Sequence, residues 1–281
     1  MEACIEDIRF NARSLGGIGT TLTFPEMDLT IDLGVCTPAA LRTANVAFTH
    51  THADHLSGVS AYLGVRRLFG MKDPRFLVPT ASAPAFRDLV SCLGALQGRP
   101  FEAEVVDIEP GKDLPLGNKL FLHPFRVEHN IPSQGLAVYR RVEKLKDEYR
   151  DLGGPEIARR RQEPDSDLFR VAQYPLVAVT GDSMVSGMDL DDPLVKGAKV
   201  LFVECTFVDD QRTPDYAHLG GHAHLDELGP RLEPLGCAAF VFFHFSQIYK
   251  TADIERAIAE RLPDSVAQRA HLLLPEEADR L

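Results

Sequence analysis

Three histidines and an aspartate are crowded into the six-residue string His50-Thr-His-Ala-Asp-His55. The string follows Asn45–Thr49 (NVAFT), an apolar run that predicts a strand buried on both faces. Because alternate residues of an extended segment point the same way, His50 and His52 can face one point. The turn after them can bring Asp54 and His55 round to a second point. Imidazole and carboxylate are typical ligands of zinc and similar first-row metals, so this loop predicts two adjacent cation sites.

One loop cannot complete two metal sites, so further ligands must come from elsewhere in the chain. His129 ends a predicted strand, Asp182 follows the apolar string VAVTG, and His244 follows FVFF. A single histidine beside an apolar run is more often a packed core residue than a ligand, but these three residues complete the ligand count of two sites. We therefore predict the centre of a two-metal hydrolase. Its ligands are His50, His52, Asp54, His55, His129, Asp182 and His244.

Strands and helices alternate in both halves of the chain and place these residues beside buried strands. The predicted strands are Thr20–Phe24, Leu29–Leu33, Asn45–Thr49, Phe76–Val78, Leu120–His129, Gly135–Tyr139, Leu176–Thr180, Val200–Glu204 and Ala238–Phe243. Predicted helices run from about Leu56 to Phe69 and from about Ala83 to Leu96. The alternation predicts an α/β fold in which two mixed sheets face each other and helices cover the outside.

Residues 140–170 differ in composition from the rest of the chain. They carry nine Lys or Arg and eight Asp or Glu in 31 positions, with Gly153-Gly154-Pro155 in the middle. Apolar residues do not recur there at the spacing of a core element. We predict a single domain over residues 1–281 with an inserted arm at about 140–170, formed by two short helices around the Gly-Gly-Pro break. The alternative is a solvated surface excursion with no special role.

The composition is that of an ordinary globular enzyme. Apolar residues make up 44% and charged residues 25%, and 281 residues are enough to bury a full core. The formal net charge of −11 argues weakly against a broad nucleic-acid surface. No apolar stretch reaches the roughly 18 residues of a membrane span, and the acidic start of the chain does not resemble a secretory signal. Because the five cysteines are scattered, we expect a cytoplasmic protein without disulfides and without a membrane partner.

Several motifs resemble those of a known family. The string HTHADH resembles the HxHxDH signature of the metallo-β-lactamase superfamily, and Val177–Ser183 (VAVTGDS) is similar to its later strand-plus-aspartate motif. Within that superfamily the chain resembles ribonuclease Z, the endonucleases that remove 3′ trailers from precursor tRNA. Further motifs of that family have counterparts at His129–Gly135, Val203–Thr206, Gly220–His224 and His244–Tyr249. The arm strings Glu143–Arg150 and Gly153–Ile157 are similar to those of its short, plant-type members.

The resemblance implies how the ligands are divided between the two metals. One divalent ion would be held by His50, His52, His129 and Asp182. The other would be held by Asp54, His55, His244 and the same Asp182 as a bridge. Zinc is the expected metal, with manganese as the alternative. The family fold is an αββα sandwich and its members are usually homodimers, so both are expected here, with precursor tRNA as the partner.

Three residues are assigned to the chemistry itself. Asp54 can orient or deprotonate the attacking water. The leaving ribose 3′-oxygen needs a proton, and both this chemistry and the resemblance assign the general acid to His222, held in one tautomer by Glu204. Without the resemblance, Glu204 would be interpreted as a buried acid paired with an arginine, and His222 as a helix-capping histidine. His224 is the second choice for the general acid.

The arm supplies the expected phosphate contacts, because lysine and arginine neutralise the nucleic-acid backbone. These contacts are Lys144, Lys146, Arg159, Arg160 and Arg161. A small-molecule hydrolase of the same superfamily, such as a cyclic-nucleotide phosphodiesterase or a lactonase, needs no arm and is the main alternative function. A binding module that keeps the fold without activity is a second alternative, which failure to bind divalent metal would favour. His123 and His271 are interpreted as structural histidines.

Overall fold

Two seven-stranded mixed sheets form the centre of the structure, a computed structural model that describes residues 1–163 and 167–275. The first sheet contains β1 (Glu2–Ile5), β2 (Ile8–Leu15), β3 (Gly19–Phe24), β4 (Leu29–Ile31), β5 (Asn45–Ala47), β6 (Arg75–Pro79) and β7 (Glu104–Ile108). The second contains β8 (Leu114–Gly117), β9 (Leu120–Arg126), β10 (Gln134–Leu145), β11 (Phe169–Val179), β12 (Val200–Glu204), β13 (Ala239–Phe243) and β14 (Ala270–Leu272). In each sheet the first four strands pair antiparallel and the last four pair parallel.

Helices cover the outer face of each sheet. The α-helices within the described ranges are α1 (Ala53–Leu56), α2 (Val59–Leu68), α3 (Ala83–Leu96), α4 (Gly154–Arg160), α5 (Pro193–Lys196), α6 (Pro214–Leu219), α7 (Leu225–Leu232), α8 (Thr251–Arg261) and α9 (Asp264–Ala267), of which α4 lies on the arm and has no buried residue. Tyr62 and Phe86 pack α2 and α3 on the first sheet, and Leu228 and Ile258 pack α7 and α8 on the second. The predicted αββα sandwich is therefore confirmed. None of these helices is long and apolar enough to cross a membrane.

Side chains of each strand divide between the layers with a period of two residues. In β12, Phe202 points between the sheets and lies edge-to-face against Phe10 and Phe24, with ring centroids 5.0 and 5.5 Å apart. Its neighbours Leu201 and Val203 point to the helix layer. A strand buried on both faces has to be a continuous apolar run, which is why the sequence predicted β12 with its observed bounds.

The loop that follows β9 begins earlier than predicted. The strand stops at Arg126, so the prediction that His129 ends a strand is wrong, and His129 lies in the loop before β10. The carbonyl oxygens of Arg126 and Glu128 accept hydrogen bonds from Asp189 N and Met184 N, both at 3.0 Å. Pairing with the 184–189 loop therefore replaces pairing with β10.

The helix predicted from about Leu56 to Phe69 corresponds to α2, which begins only at Val59. The preceding short helix, α1, covers Ala53–Leu56 and was not predicted. Gly58 N donates to the carbonyl oxygen of Leu33 at 2.8 Å rather than to a helical carbonyl. This bond holds the break against the end of the first sheet and orients α1, which carries two of the candidate ligands.

The arm is in large part a β-hairpin. Strands β10 and β11 continue past the sandwich and pair from Arg140 with Tyr174 to Leu145 with Phe169. A 3₁₀ turn at Asp147–Tyr149 and helix α4 follow, and residues 164–166 of the predicted arm lie outside the described residues. The two short helices predicted around the Gly-Gly-Pro break correspond to the 3₁₀ turn and α4, whereas residues 140–145 and 169–170 of the predicted arm are paired strands.

His123 joins two segments on the outer face of the second sheet. Its Nδ1 lies 2.6 Å from Asp113 Oδ1, and its Nε2 lies 2.9 Å from Asp192 Oδ2, beside α5. Burial alone would lower the pKa of His123, but hydrogen bonds to the two carboxylates and their charges raise it above the ordinary value. The imidazolium form therefore links β9 to the loop that opens α5, in agreement with the structural interpretation of this histidine.

We predict that His123→Gln lowers the free energy of unfolding by about 1–3 kcal/mol near pH 6. A histidine whose pKa is raised by folding contributes stability that is fully present below the unfolded pKa of about 6.5, and this contribution is lost as the pH rises through the folded pKa. The difference between variant and wild type should therefore shrink at pH 9, as measured by urea unfolding. His271→Gln, at an exposed position on β14, is the control. A difference that does not change with pH would contradict the charged bridge.

Candidate metal centre

All seven predicted ligands lie at one edge of the sandwich. The loop after β5 and helix α1 supply four of them, and the other three follow β9, β11 and β13. They form two sets of four, and the donor atoms of each set lie within 4.8 Å of one another. The first set is His50, His52, His129 and Asp182. The second set is Asp54, His55, His244 and Asp182.

Asp182 is common to both sets. Its Oδ2 lies 3.6 Å from His50 Nε2, 3.4 Å from His55 Nε2 and 3.4 Å from His244 Nε2. Asp182 Oδ1 and His50 Nε2 are buried and have no hydrogen-bond partner within residues 1–163 and 167–275. Because a buried carboxylate oxygen without a partner is costly, these atoms fit a bound cation. The chemistry of the donor set thus suits a dinuclear metal centre.

Four of the five histidines use Nδ1 for an outer hydrogen bond and turn Nε2 towards the site. His50 Nδ1 bonds Thr49 Oγ1 (3.0 Å), His55 Nδ1 bonds Asp32 Oδ2 (2.8 Å), His129 Nδ1 bonds the Gly221 carbonyl (2.7 Å), and His244 Nδ1 bonds Thr206 Oγ1 (3.1 Å). Such bonds fix the ring orientation and the tautomer, which leaves Nε2 as the ligand atom. His52 is the exception, since its Nδ1 faces His129 Nε2 at 3.1 Å.

Asp32 and Thr206 position ligands and were missed in the sequence. Asp32 is fully buried and accepts hydrogen bonds from Thr49 N and Thr49 Oγ1 as well as from His55. Thr206 Oγ1 donates to Glu204 at 2.9 Å while it accepts from His244. An aspartate directly after the apolar run of β4 was the available signal for Asp32. For Thr206 the available signal was its place at the end of the Val203–Thr206 motif, where the sequence analysis gave it no role.

Several residues at the site have left-handed backbone conformations, among them Asp32 with φ 56°, His244 and Gly181. His244 has φ 64° and a buried side chain, which is unusual for a residue with a Cβ atom. Gly181, immediately before Asp182, has φ 64°, and a Cβ atom there would lie 2.6 Å from Thr49 Cβ. The turn after β11 therefore requires glycine so that the Asp182 carboxylate can enter the loop that contains His50.

Burial sets the protonation of the first ligand set. It lowers the pKa of His50, His52 and His129 below the ordinary histidine value, which favours the neutral imidazole that binds metals. Burial by itself would raise the pKa of Asp54, but the hydrogen bond with His244 and the charges of His55 and His244 outweigh it and hold the pKa well below its usual range. The first ligand set is thus favoured in its metal-binding form, and Asp54 is ionised. For His55 of the second set, burial would lower the pKa, but the charges and hydrogen bonds of Asp182 and Asp32 raise it well above the ordinary value, so metal binding there would displace a proton.

Glu204 and His222 form a pair beside the second ligand set. Glu204 Oε1 lies 3.1 Å from His222 Nδ1, and the buried Glu204 carboxylate also accepts from Thr206 N (2.9 Å) and Ala223 N (3.0 Å). Burial would lower the pKa of His222, but the hydrogen bond and charge of Glu204, with Asp182, raise it to about 9. The alternative in which Glu204 pairs with an arginine is wrong within the described residues, since backbone amides, Thr206 and His222 surround it.

The other predicted functional residues lie apart from this cluster. His224 is buried, with Nε2 at 3.1 Å from the Asp209 carbonyl and Nδ1 accepting from Asp226 N at 3.2 Å, so it caps α7. Of the five arm residues, Lys144 lies on β10 and Lys146 directly after it, while Arg159 and Arg160 end α4 and Arg161 follows it. None of the five contributes an atom to either ligand set.

Comparison with known proteins places this centre in a family. The chain is 30% identical over 261 residues to tRNase Z TRZ1 of Arabidopsis thaliana, with 92% of each chain covered. The chain belongs to the tRNase Z family. The chloroplastic tRNase Z TRZ2 of the same plant is 27% identical over 255 residues, which cover 90% of this chain and 72% of that protein. The resemblance to ribonuclease Z, and with it the prediction of a metal-dependent hydrolase of the metallo-β-lactamase superfamily, is confirmed.

Solved structures share the fold at lower identity. Human tRNase Z, short form, superposes with a TM-score of 0.60 at 17% identity, covering 94% of this chain and 95% of that chain. The metallo-β-lactamase-fold protein YhfI of Bacillus subtilis has a TM-score of 0.64 at 14% identity, with 92% of both chains covered. No family model matches the sequence. At these identities the structures support the tRNase Z family fold and nothing finer.

We predict that the purified protein binds about two equivalents of divalent metal per chain, measured by metal analysis after dialysis. His50→Ala should retain about one equivalent, because His50 belongs to one ligand set only. Asp182→Ala should lose both ions, because both sets need its carboxylate. His222→Ala is the matched control and should keep both. Tight binding of a single ion that is unaffected by Asp54→Ala or His244→Ala would contradict the dinuclear centre.

Proposed function

We propose that this protein is an endoribonuclease that uses two metal ions to remove 3′ trailers from precursor tRNA, leaving a 3′-hydroxyl on the tRNA. The observation that carries the proposal is the placement of the Glu204–His222 pair beside the Asp182-bridged ligand sets, in a chain of the tRNase Z family. A metal site without this pair would account for hydrolysis in general. The pair adds a proton donor for a poor leaving group such as a ribose 3′-oxygen.

The residues of the chain divide the chemistry between them. Two bound divalent cations would lower the pKa of a water and neutralise charge on the phosphoryl oxygens. Asp54, whose Oδ2 accepts from Gly17 N at 2.9 Å, is held in place to orient the attacking water. His222 Nε2 donates its proton to the leaving 3′-oxygen, and its side chain is 20% exposed, so substrate can reach it. Glu204 holds the Nδ1–H tautomer and stabilises the imidazolium.

The proposal extends to the metal, the assembly and the compartment. Zinc is the proposed metal, with manganese as the alternative, because the donor set is imidazole and carboxylate. The chain is proposed to act as a homodimer, as the family resemblance implies, and in the cytoplasm, on the basis of its scattered cysteines. Metal analysis of protein purified without added metal tests the identity of the metal. Light scattering tests the dimer.

The arm divides into a neutralised face and an open face. Arg159 and Arg160 form ion pairs with Glu156, Arg161 pairs with Glu143 at 2.9 Å, and Lys146 pairs with Asp167. Exposed pairs of this kind contribute little stability, but they lower the net positive charge that a phosphate meets. The Arg159–Arg161 run and Lys146 are therefore weak candidates for RNA contacts.

The opposite face of the hairpin keeps its positive charge. Because side chains alternate along a strand, Arg140 and Lys144 of β10 share a face with Arg170 and Tyr174 of β11. The Lys144 ammonium lies 4.7 Å from the Tyr174 ring centroid, and none of the three cations pairs with a carboxylate within residues 1–163 and 167–275. This face combines cations with an exposed aromatic ring, the combination that contacts phosphates and bases. It is the proposed RNA-binding face of the arm.

The function is tested with purified protein and a 3′-extended precursor tRNA. Mapping of the product ends should place cleavage at the junction with the trailer, with a 3′-hydroxyl on the tRNA and a 5′-phosphate on the trailer. Rapid hydrolysis of cyclic nucleotides or lactones by protein that leaves the precursor intact would instead favour the small-molecule hydrolase.

We predict that His222→Ala lowers the cleavage rate roughly 10²–10⁴-fold while metal content and precursor affinity stay unchanged. Glu204→Gln is the suitable partner variant, because alanine would leave the amides of Thr206 and Ala223 without an acceptor. The double variant should lower the cleavage rate little more than either single change, since the two residues act as a unit. Loss of metal in His222→Ala would place this histidine among the ligands.

For the arm, we predict that Lys144→Ala with Arg170→Ala weakens precursor binding and lowers the salt slope of log K by nearly two units, about one unit for each phosphate that is no longer neutralised. Arg159→Ala with Arg160→Ala is the matched control, with the same change in charge but with residues paired to Glu156, and should change the slope much less. Hydrolysis of bis(p-nitrophenyl) phosphate should be unaffected by either. Equal slopes in both double variants would contradict the assignment of the open face.

A further inference from the structure

A cleft of about 450 Å³ adjoins the metal centre and is used by none of the steps above. Its walls come from the ends of the loops that carry ligands and from α3. Thr51 lies between His50 and His52, and Ile131 lies two residues after His129. The apolar residues that line it include Leu56, Ala85, Phe86, Leu89, Ile131 and Pro132. Two lining residues therefore lie within two sequence positions of the ligands His50, His52 and His129.

The lining excludes a phosphate and favours a flat apolar group. No charged side chain of the described residues lines the cleft, so an anion would be desolvated there without compensation. The hydroxyls in the wall include Thr51 and Ser82, and Thr51 Oγ1 donates to Ser82 Oγ at 3.3 Å. The volume lies within the range of small-molecule sites. Phe86 is the aromatic residue in the lining, and stacking of a base on an aromatic ring tolerates any base because every base has a π-face.

We propose, on the basis of the proposed endoribonuclease function, that this cleft binds the base of the first trailer nucleotide, the one that retains the scissile phosphate. With a phosphate at the metal centre, an adjacent base has to be placed against the protein, and this apolar cleft shares its walls with the ligand loops. His222 faces the leaving 3′-oxygen and therefore the last retained nucleotide. Most of the cleft lining, from Leu56 and from Ala81 to Leu89, belongs to the helices on the first sheet and the loop before α3, whereas His222 follows α6 on the second sheet. This separation assigns the cleft to the nucleotide on the other side of the phosphorus.

The test combines a filled cleft with a substrate that lacks one base. Ala85 is exposed on α3, so Ala85→Trp fills the cleft without disturbing the core. Cys92→Trp is the matched control, because Cys92 is exposed on the same face of α3 two turns further on and does not line the cleft. Each protein is assayed with three precursors: unmodified, abasic at the first trailer nucleotide, and abasic at the last retained nucleotide. Leu89→Ala, which shortens a wall side chain, is the second variant if Ala85→Trp does not fold.

For wild type and Cys92→Trp, removing the first trailer base should lower kcat/KM by roughly 5- to 150-fold, the range typical of base stacking. Ala85→Trp should cleave the unmodified precursor with a kcat/KM lowered by a similar factor. Removing the first trailer base should then lower its kcat/KM little further. Hydrolysis of bis(p-nitrophenyl) phosphate serves to show that the metal centre is intact.

Several results would overturn the assignment. Equal cleavage of all three precursors by wild type would leave the proposed function intact and refute the base site. If Ala85→Trp instead abolished the effect of removing the last retained base, the cleft would hold that nucleotide. A change of oligomeric state in Ala85→Trp, seen by light scattering, with unchanged base dependence would make the cleft a contact between copies of the chain. Wild type that cleaves no precursor would refute the proposed function and this inference with it.

Discussion

The buried carboxylate of Asp182 is the constraint on which the site depends. Histidines from both ligand sets lie within 3.6 Å of its Oδ2, while its Oδ1 has no partner among the described residues. A buried carboxylate is stable only if positive charge lies next to it. The surrounding histidines therefore complete sites in which metal cations can neutralise Asp182. The glycine before it and the left-handed backbone of His244 are local costs of that arrangement, offset by the packing of the strands behind them.

The two sheets repeat one plan, and this plan explains why ligands distant in sequence meet. In each sheet an antiparallel set of strands passes into a parallel set, and parallel strands deliver their carboxyl ends to the same edge. Strand β5 brings the chain to His50, β11 to Asp182 and β13 to His244. Because the two sheets face each other across one apolar layer, these strand ends lie opposite each other. The outer hydrogen bonds to Nδ1 complete the geometry, because they decide which nitrogen of each ring is free.

What the sequence could predict follows from the range of the interactions involved. Strands buried on both faces and helix α3 are local apolar patterns, so β12 and α3 have their predicted bounds. The ligand cluster was recognisable because His50 to His55 is short and dense. The predicted end of β9 was wrong because the carbonyl groups of Arg126 and Glu128 accept hydrogen bonds from a loop about 60 residues away. No local sequence pattern shows such a contact. The ion pairs of the arm were hidden for the same reason: composition counts charges, but only the fold shows that Arg161 meets Glu143 while Lys144 meets Tyr174.

The continuous pairing of β10 with β11 also limits how the arm can change in length. The register shifts once, between Val138 and Tyr139, and beyond this point successive residues alternate between the face that carries Lys144 and the face where Glu143 meets Arg161. Insertion of one residue in each strand at the base of the arm would exchange these faces and turn every cation of the open side towards α4. Insertion of two residues in each strand would lengthen the arm by a full repeat and leave its charged face unchanged. Insertions and deletions tolerated during evolution in this part of the hairpin should therefore come in pairs of residues on each strand.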